Sequence, residues 1–458
     1  MKNYFSAHEY IEARFMGVNH VRLDEDISSS TDRSSSERDV FHESQVQTAD
    51  SPFRAKKKEL RGVWVTTVRN NDFPSRGGLD LAQFQAEFMA VLATCKKFNL
   101  NALFFQIRPE GDAFYPSGVN PWSEYLTGEQ GVAPNWGDFD VLTWIIAETH
   151  KAGMEFHAWL NPYRLTPSNK KLSSKEALLA RLSPHHYVHR HPDWIYFFNG
   201  QLFLNPGVPA VTQYLVATVD EILRHYNVDA IHLDDFFYPY VYKDPKTGKM
   251  ISFADVSPDK ETFLKYRKDA TQDIHAWREA NINNMVYSLH ATIERYNRIH
   301  HDNVEFGISP FGIWASMDEA PGGSATSSGQ LSSLSEYVNS KLWIDNGWID
   351  YIVPQVYWSF NNKLSPFAVV CDWWNGVVAG TKTKLYIGLG LYLHEEDASN
   401  PDWQNPTEIV DQIKYIRQLN NVSGFVLFTY HNLLPERATN STMKQAIELL
   451  KQYLLRGG

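Results

Sequence analysis

From residue 60 onward the chain alternates short, apolar, β-rich runs with longer stretches of helical periodicity, and it does so eight times. No other feature limits the fold as much, because a strand–helix repeat forces successive strands to pair in parallel through crossovers. The β-rich runs span residues 60–67, 102–108, 155–161, 230–234, 305–310, 351–357, 384–392 and 424–429. Helical stretches follow at 79–98, 140–153, 209–226, 259–299, 334–346, 366–378, 406–419 and 443–454. Eight such units in 458 residues predict an α/β fold, a (β/α)8 TIM barrel with enlarged βα loops. The alternative, a doubly wound open sheet, calls for a glycine-rich phosphate loop after an early strand. The first βα turn, residues 67–79, contains no GxGxxG.

Ahead of the first run the composition changes. Residues 24–50 are rich in Ser, Asp, Glu and Arg, with SSSTDRSSSERD at their centre. Such a segment buries too little apolar surface to offset its ordering entropy. The chain is therefore expected to divide into a disordered polar N-terminal tail over residues 1–56 and one barrel domain over 57–458. Residues 1–16, MKNYFSAHEYIEARFM, scatter charges among aromatics with no apolar centre and do not read as a secretory signal.

Composition excludes several function classes. With 43 Lys+Arg against 53 Asp+Glu, the net charge of −10 argues against nucleic acid as a partner. No window holds about 18 uninterrupted apolar residues, so no transmembrane helix is expected. Cys95 and Cys371, the only cysteines, exclude a disulfide framework and a zinc site built on cysteines alone.

Strand parity then sorts the side chains. In the second run Phe104, Gln106 and Arg108 oppose Leu103, Phe105 and Ile107; in the fourth, Ala230, His232 and Asp234 oppose Ile231 and Leu233. One face is wholly apolar and should meet the helices. The other grows polar and aromatic toward the C-terminal ends of the strands, where the active sites of such barrels lie. The same parity places Trp64, Thr66, His157, Trp159, Asn161, Gly307 and Ser309 inside.

The densest candidate for chemistry is DAIHLDDFFYPY, residues 229–240, where Asp234 and Asp235 end the fourth run. Two close carboxylates resist joint ionisation, so one holds a raised pKa suited to acid catalysis near neutrality. The plainer reading is an Asp that caps the following loop or pairs with an arginine. After the second run, QIRPEGDAFY presents Arg108 and Glu110 on the inward parity. Glu110 reads as a second catalytic carboxylate or as a holder of Arg108 and a substrate hydroxyl; Asp112 is the weaker candidate. NPYR after the third run offers Asn161 and Tyr163 for hydroxyl-rich ligands. Gln355, Tyr357 and Trp358 repeat that pattern on the sixth, and Tyr430, His431 and Asn432 on the eighth.

Aromatic residues make up 14% of the chain, and Trp64, Trp122, Trp136, Trp159, Trp314, Trp358, Tyr392 and Tyr430 lie in or just beyond strand ends. Aromatic faces stack on sugar rings while nearby amides and Arg bond the hydroxyls, which points to a carbohydrate ligand. His185, His186, His189 and His191, in HHYVHRH, read as a solvated His-rich loop. No HExxH accompanies them, and no metal or cofactor is expected.

Ten stretches carry a resemblance: ELRGVWVTTV, NALFFQIRPEGDAFYPS, PWSEYLTGEQG, FHAWLNPYR, LNPG, DAIHLDDFFYPY, GISPFGIW, YIVPQVYW, LYIGLGLY and GFVLFTYHNL, in order over residues 59–433. Together they resemble the bacterial glycosyl-hydrolase-like family ten. That resemblance implies a TIM barrel that hydrolyses glycosidic bonds. For some relatives it implies cleavage of peptidoglycan glycan strands in the cell envelope. It also implies a catalytic carboxylate at Asp234, with Asp235 beside it and Glu110 in the second-strand motif. Substrate contacts are expected from Trp64, Arg108, Asn161, Tyr163, His232, Trp314, Gln355, Tyr357, Trp358, Tyr392, Tyr430 and His431. A carbohydrate-binding barrel without turnover is the alternative.

Overall fold

A computed structural model of the protein describes residues 59–168, 174–244, 246–327 and 332–457. The tail expected over residues 1–56 lies outside the described residues. Eight parallel strands close into a barrel: β1 (Leu60–Val65), β2 (Ala102–Arg108), β3 (Glu155–Leu160), β4 (Ala230–Leu233), β5 (Glu305–Ile308), β6 (Tyr351–Ile352), β7 (Lys384–Gly390) and β8 (Val422–Phe428). Each strand pairs with the next, and β8 returns to β1 with Gly424 opposite Leu60. The main helices are α1 (Leu81–Lys97), α2 (Val141–Lys151), α3 (Pro209–His225), α4 (Ile274–His300), α5 (Ser340–Asp345), α6 (Phe367–Val377), α7 (Glu408–Ile416) and α8 (Ser441–Leu455). Their starts are chemically marked: Asp80, Asp140, Asp273, Asn339 and Asn440 each accept a first-turn backbone N–H.

Side chains alternate between two faces along the strands, except at the bulge before Arg108. Val63, Val65, Leu103, Phe105, Ile107, Ile231 and Ile387 face the helices in one large apolar core. The barrel interior is a second cluster that includes Trp64, Phe104, Trp159, Ala230, Tyr351, Val353, Tyr386 and Val426. Large rings fit there because glycines oppose them. A Cβ on Gly307 would lie 1.9 Å from the Tyr351 ring, and one on Gly62 would lie 2.7 Å from Phe104.

At the N-terminal end of the barrel one device recurs. Asn101, Asp229 and Asp350 each precede an even-numbered strand, and each accepts a backbone N–H from the strand before it: Arg61 at 2.7 Å, Phe156 at 2.7 Å and Phe306 at 2.8 Å. Those donors lie at strand starts, so the carboxamide or carboxylate satisfies them.

The structure also departs from expectation. β6 ends at Ile352 because Pro354 has no N–H for the ladder. Over 259–299, where helices are expected, lie two, Lys260–Tyr266 and α4. The long segment after β3 holds a hairpin, Ile195–Phe198 with Gln201–Leu204, turned by Asn199 and Gly200 at φ 47° and 73°. Asn-Gly between two β-rich runs is the sequence signal for such a turn.

Candidate active site

Asp234 and Asp235 leave the end of β4 at the C-terminal mouth of the barrel. Asp234 is buried. Its Oδ1 accepts the Phe236 N–H at 3.2 Å, and its Oδ2 accepts the side-chain amide of Asn161. Burial, then the neighbouring Asp235, pushes the Asp234 carboxyl from 3.8 up to about 7, against the pull of Arg164, the Phe236 N–H and the Trp159 indole. Asp235 is half-buried, and the Tyr240 hydroxyl donates to its Oδ2. Burial raises its carboxyl as well, opposed by Tyr240, Gln355 and Arg164.

Glu110 reaches the same neighbourhood from the β2 loop. It is 2% exposed, accepts the Tyr125 hydroxyl at 2.8 Å on Oε2, and stands 3.7 Å from the Arg164 guanidinium on Oε1. Burial raises it from 4.5 to about 8, with Asp112 adding and Arg164 and Tyr125 opposing. Asp112 holds the turn by accepting the Glu110 N–H at 3.1 Å, and burial lifts it to about 6. Arg164 acts on Glu110, Asp234 and Asp235 alike, and its guanidinium lies 4.7 Å over the Phe236 ring. Three carboxyls thus share one cation, an arrangement able to hold protonated and ionised carboxyls side by side.

Aromatics rim this cluster. Trp358, Phe311, Tyr240 and Phe236, all half-buried, form a row with centroid spacings of 5.6, 6.2 and 5.9 Å. Across the mouth Tyr357, Tyr392 and Phe428 pack mutually at 5.8 Å. A cavity of about 520 Å³ opens beside Glu110 and is lined also by Arg69, Glu124, Gln130, Thr166 and Arg181. A second, about 350 Å³, is lined by Tyr392, Phe428, His431, Asn432, Asn71 and two glutamates. His431 is fixed there by Asp72, its Nδ1 2.6 Å from Oδ1.

Several expected contact residues sit elsewhere. Arg108 is wholly buried and turned away from the mouth, because a bulge after Gln106 pairs it with the outward-facing Leu160. Its guanidinium holds Asn120 Oδ1 and the Asn161 and Pro162 carbonyls, 5.6 Å from the Tyr214 ring of α3. Tyr163, past Pro162, is buried in the helix-facing core. Trp314 stacks on Trp373 of α6, 5.8 Å apart at 12°, and Tyr430 is buried in that same core, with its hydroxyl toward Thr94 of α1. Trp64 and His232 lie in the barrel interior, the indole N–H 3.3 Å from His232 Nε2. His186 is buried against Tyr187 rather than solvated, and among the described residues no group of His, Cys, Asp and Glu is placed to hold a metal.

Sequence reasoning passed over Arg164, Tyr125 and Tyr240. Arg164 stands in the NPYR stretch beside two residues that parity singled out, but nothing in that stretch says which carboxyls its guanidinium meets.

The family profile described as glycosyl hydrolase-like 10 matches residues 59–405. Glycosyl hydrolase YngK of Bacillus subtilis (strain 168) is 39% identical over 376 residues, 82% of this chain and 69% of that protein. Glycosyl hydrolase DigH of Escherichia coli (strain K12) is 32% identical over 382 residues, 81% of this chain and 82% of that protein. Among solved structures, the PgaB (BpsB) glycoside hydrolase domain from Bordetella bronchiseptica is similar at 11% identity and a TM-score of 0.46, over 87% of this chain and 99% of that one.

Proposed function

The chain belongs to the glycosyl hydrolase-like 10 family, and on that premise we propose that it hydrolyses glycosidic bonds in an N-acetylhexosamine-containing glycan such as a peptidoglycan strand. The observation that carries this reading is the adjacent, differently placed pair Asp234 and Asp235 at the end of β4. In a substrate-assisted reaction the sugar's own 2-acetamido oxygen attacks the anomeric carbon. One carboxylate then orients the acetamido N–H, and the other group, as its neutral acid, protonates the departing oxygen and takes a proton back from the water that opens the cyclic intermediate. Asp234, deeper and already accepting two N–H groups, suits the first role; Asp235, nearer the opening, suits the second. The half-buried aromatic row offers faces for sugar rings.

Glu110 supports a second reading, in which it and Asp234 flank the bond as an ordinary carboxylate pair. Its shared Arg164 and its place on the larger cavity favour that arrangement.

Product analysis by mass spectrometry on denuded glycan strands and a polysaccharide panel tests the proposal. Hydrolysis by the wild type, lost in Asp234→Asn and Asp235→Asn, is expected. Restriction to N-acetylated substrates, with inhibition by a sugar thiazoline, separates the first reading from the second. Near-normal turnover by Asp234→Asn, or glycan binding without hydrolysis that survives both substitutions, overturns the proposal.

A further inference from the structure

The side-chain amide of Gln106 is oriented by backbone donors. Its Oε1 accepts the N–H groups of Thr67 at 2.8 Å and Val68 at 3.0 Å, just beyond β1. An amide nitrogen has no lone pair to offer them, so the oxygen must lie on that side. Nε2 therefore points the other way and donates to Asn161 Oδ1 at 2.5 Å. With its oxygen engaged, Asn161 turns its nitrogen to Asp234 and donates to Oδ2. The Asn161 main chain is pinned too: its N–H donates to the Arg108 carbonyl at 2.9 Å, and its carbonyl accepts Arg108 Nη1 at 2.5 Å. Gln106 and Asn161 are both wholly buried.

We infer that Gln106 is a positioning residue: through Asn161 it fixes a hydrogen-bond donor, and never an acceptor, against Oδ2 of Asp234. The sense of the relay is set by two peptide N–H groups and passes through two amides that do not titrate. Oδ2 is thus held as an acceptor at every pH, and burial alone does not decide the state of this carboxyl. The catalytic meaning of the relay rests on the proposed role of Asp234; the relay itself does not.

Gln106→Glu keeps the shape and inverts the signal. One carboxylate oxygen still accepts from Thr67 and Val68, and the other now faces Asn161 where a donor stood. The Asn161 amide turns over and sets Oδ1 against Asp234 Oδ2, so two acceptors meet unless Asp234 is protonated. The other groups facing Asp234 are unchanged: Asp235 beside it, Arg164 from the β3 loop and Tyr240 from its own loop.

The readout is a carbon-13 titration of side-chain carboxyls, with Asp234 assigned as the resonance missing from Asp234→Asn. In Gln106→Glu it is expected to titrate higher by about one pH unit, a roughly tenfold change in ionised fraction. The low-pH limb of the rate profile should move with it. The added charge is separated by repeating the substitution in an Asn161→Leu background, where the shift should fall by more than half. An equal shift there means a charge acting through space and overturns the relay, as does an unmoved resonance in Gln106→Glu. Should the glutamate fail to fold, Gln106→Met removes the donor to Asn161 without charge. The resonance again moves up if the relay operates, and stays put if it does not. A wild-type protein that cleaves no glycan defeats the proposed function while the titration still reads the relay.

Discussion

The guanidinium of Arg164, carried on the loop after β3, stands 3.7 Å from Oε1 of Glu110, carried on the loop after β2. The same cation pulls down the carboxyls of Asp234 and Asp235, which arrive from β4. Neighbouring barrel strands bring their loops to one point, and one arginine ties three acids from two segments into a single titrating cluster.

Arg164→Met removes that cation while keeping much of the stem that packs on Phe236. Every carboxyl it opposed then rises, because burial remains and the opposing charge is gone. The low-pH limb of the rate profile is expected to shift up by about one pH unit, with kcat/KM at pH 6 falling roughly tenfold or more. Circular dichroism should be unaltered. A profile superimposable on wild type would show that Arg164 acts on none of the reacting groups.

Glu110 makes stability fall with rising pH. Burial raises its carboxyl from 4.5 to about 8, so the folded chain keeps a proton that the unfolded chain releases above about pH 4.5. Its contribution is whole below pH 4.5 and is lost as pH rises toward 8. Asp234, lifted to about 7, and Asp112, lifted to about 6, act with the same sign. Glu110→Gln should therefore match wild type near pH 5 and exceed it near pH 8, by on the order of 3 kcal/mol. Thermal melts across that range check this, and parallel curves for the two proteins would refute it.

The architecture was legible because its signals are local and repeated. Period-two alternation located all eight strands, and parity put Trp64 and Trp159 inside. Parity failed where the backbone departs from a regular ladder. At Arg108 one extra residue turns the side chain to the opposite face, and nothing in ALFFQIR announces it. Past Pro162 and Phe428 the strands are over, so Tyr163 and Tyr430 follow the path of their loops into the helix-facing core. The adjacency of Asp234 and Asp235 can be read from the chain. Their partners Tyr240 and Arg164 cannot be chosen that way, since a loop side chain finds its contact through tertiary path alone.

Asp72 was equally invisible, and it closes the barrel. Its Oδ2 accepts the Thr66 N–H and hydroxyl, both at 2.7 Å, at the end of β1. Its Oδ1 accepts the Thr429 hydroxyl at 2.9 Å, the His431 N–H at 3.0 Å and His431 Nδ1 at 2.6 Å, beyond β8. Asp72→Ala takes this acceptor from the Thr66 N–H and hydroxyl and the His431 N–H at the seam between the first and last strands, while the Thr429 hydroxyl keeps Asn432 Oδ1 at 3.3 Å, at a cost of about 3 kcal/mol. Urea denaturation should show a lower midpoint with an unchanged slope. A loss under about 0.5 kcal/mol would mean that the seam does not depend on this carboxylate.

The aromatic row predicts where binding and chemistry separate. Trp358 stands at its far end, 5.6 Å from Phe311, with Tyr240 and Asp235 further along. A sugar stacked on Trp358 therefore lies away from the bond being broken, and its contact is the same in the ground and transition states. Loss of such uniform binding raises KM and leaves kcat alone. Trp358→Ala is expected to raise KM about tenfold, the equivalent of about 1.4 kcal/mol of stacking, on long glycans. The smallest cleavable oligosaccharide, too short to reach the tryptophan, should be unaffected. Tyr240→Phe acts at the near end and does the opposite: it removes the donor to Asp235, so kcat falls and the pH dependence shifts while KM holds. Steady-state kinetics on a chain-length series distinguishes the two, and a Trp358→Ala enzyme whose kcat falls equally on short and long chains would place the tryptophan against the reacting sugar.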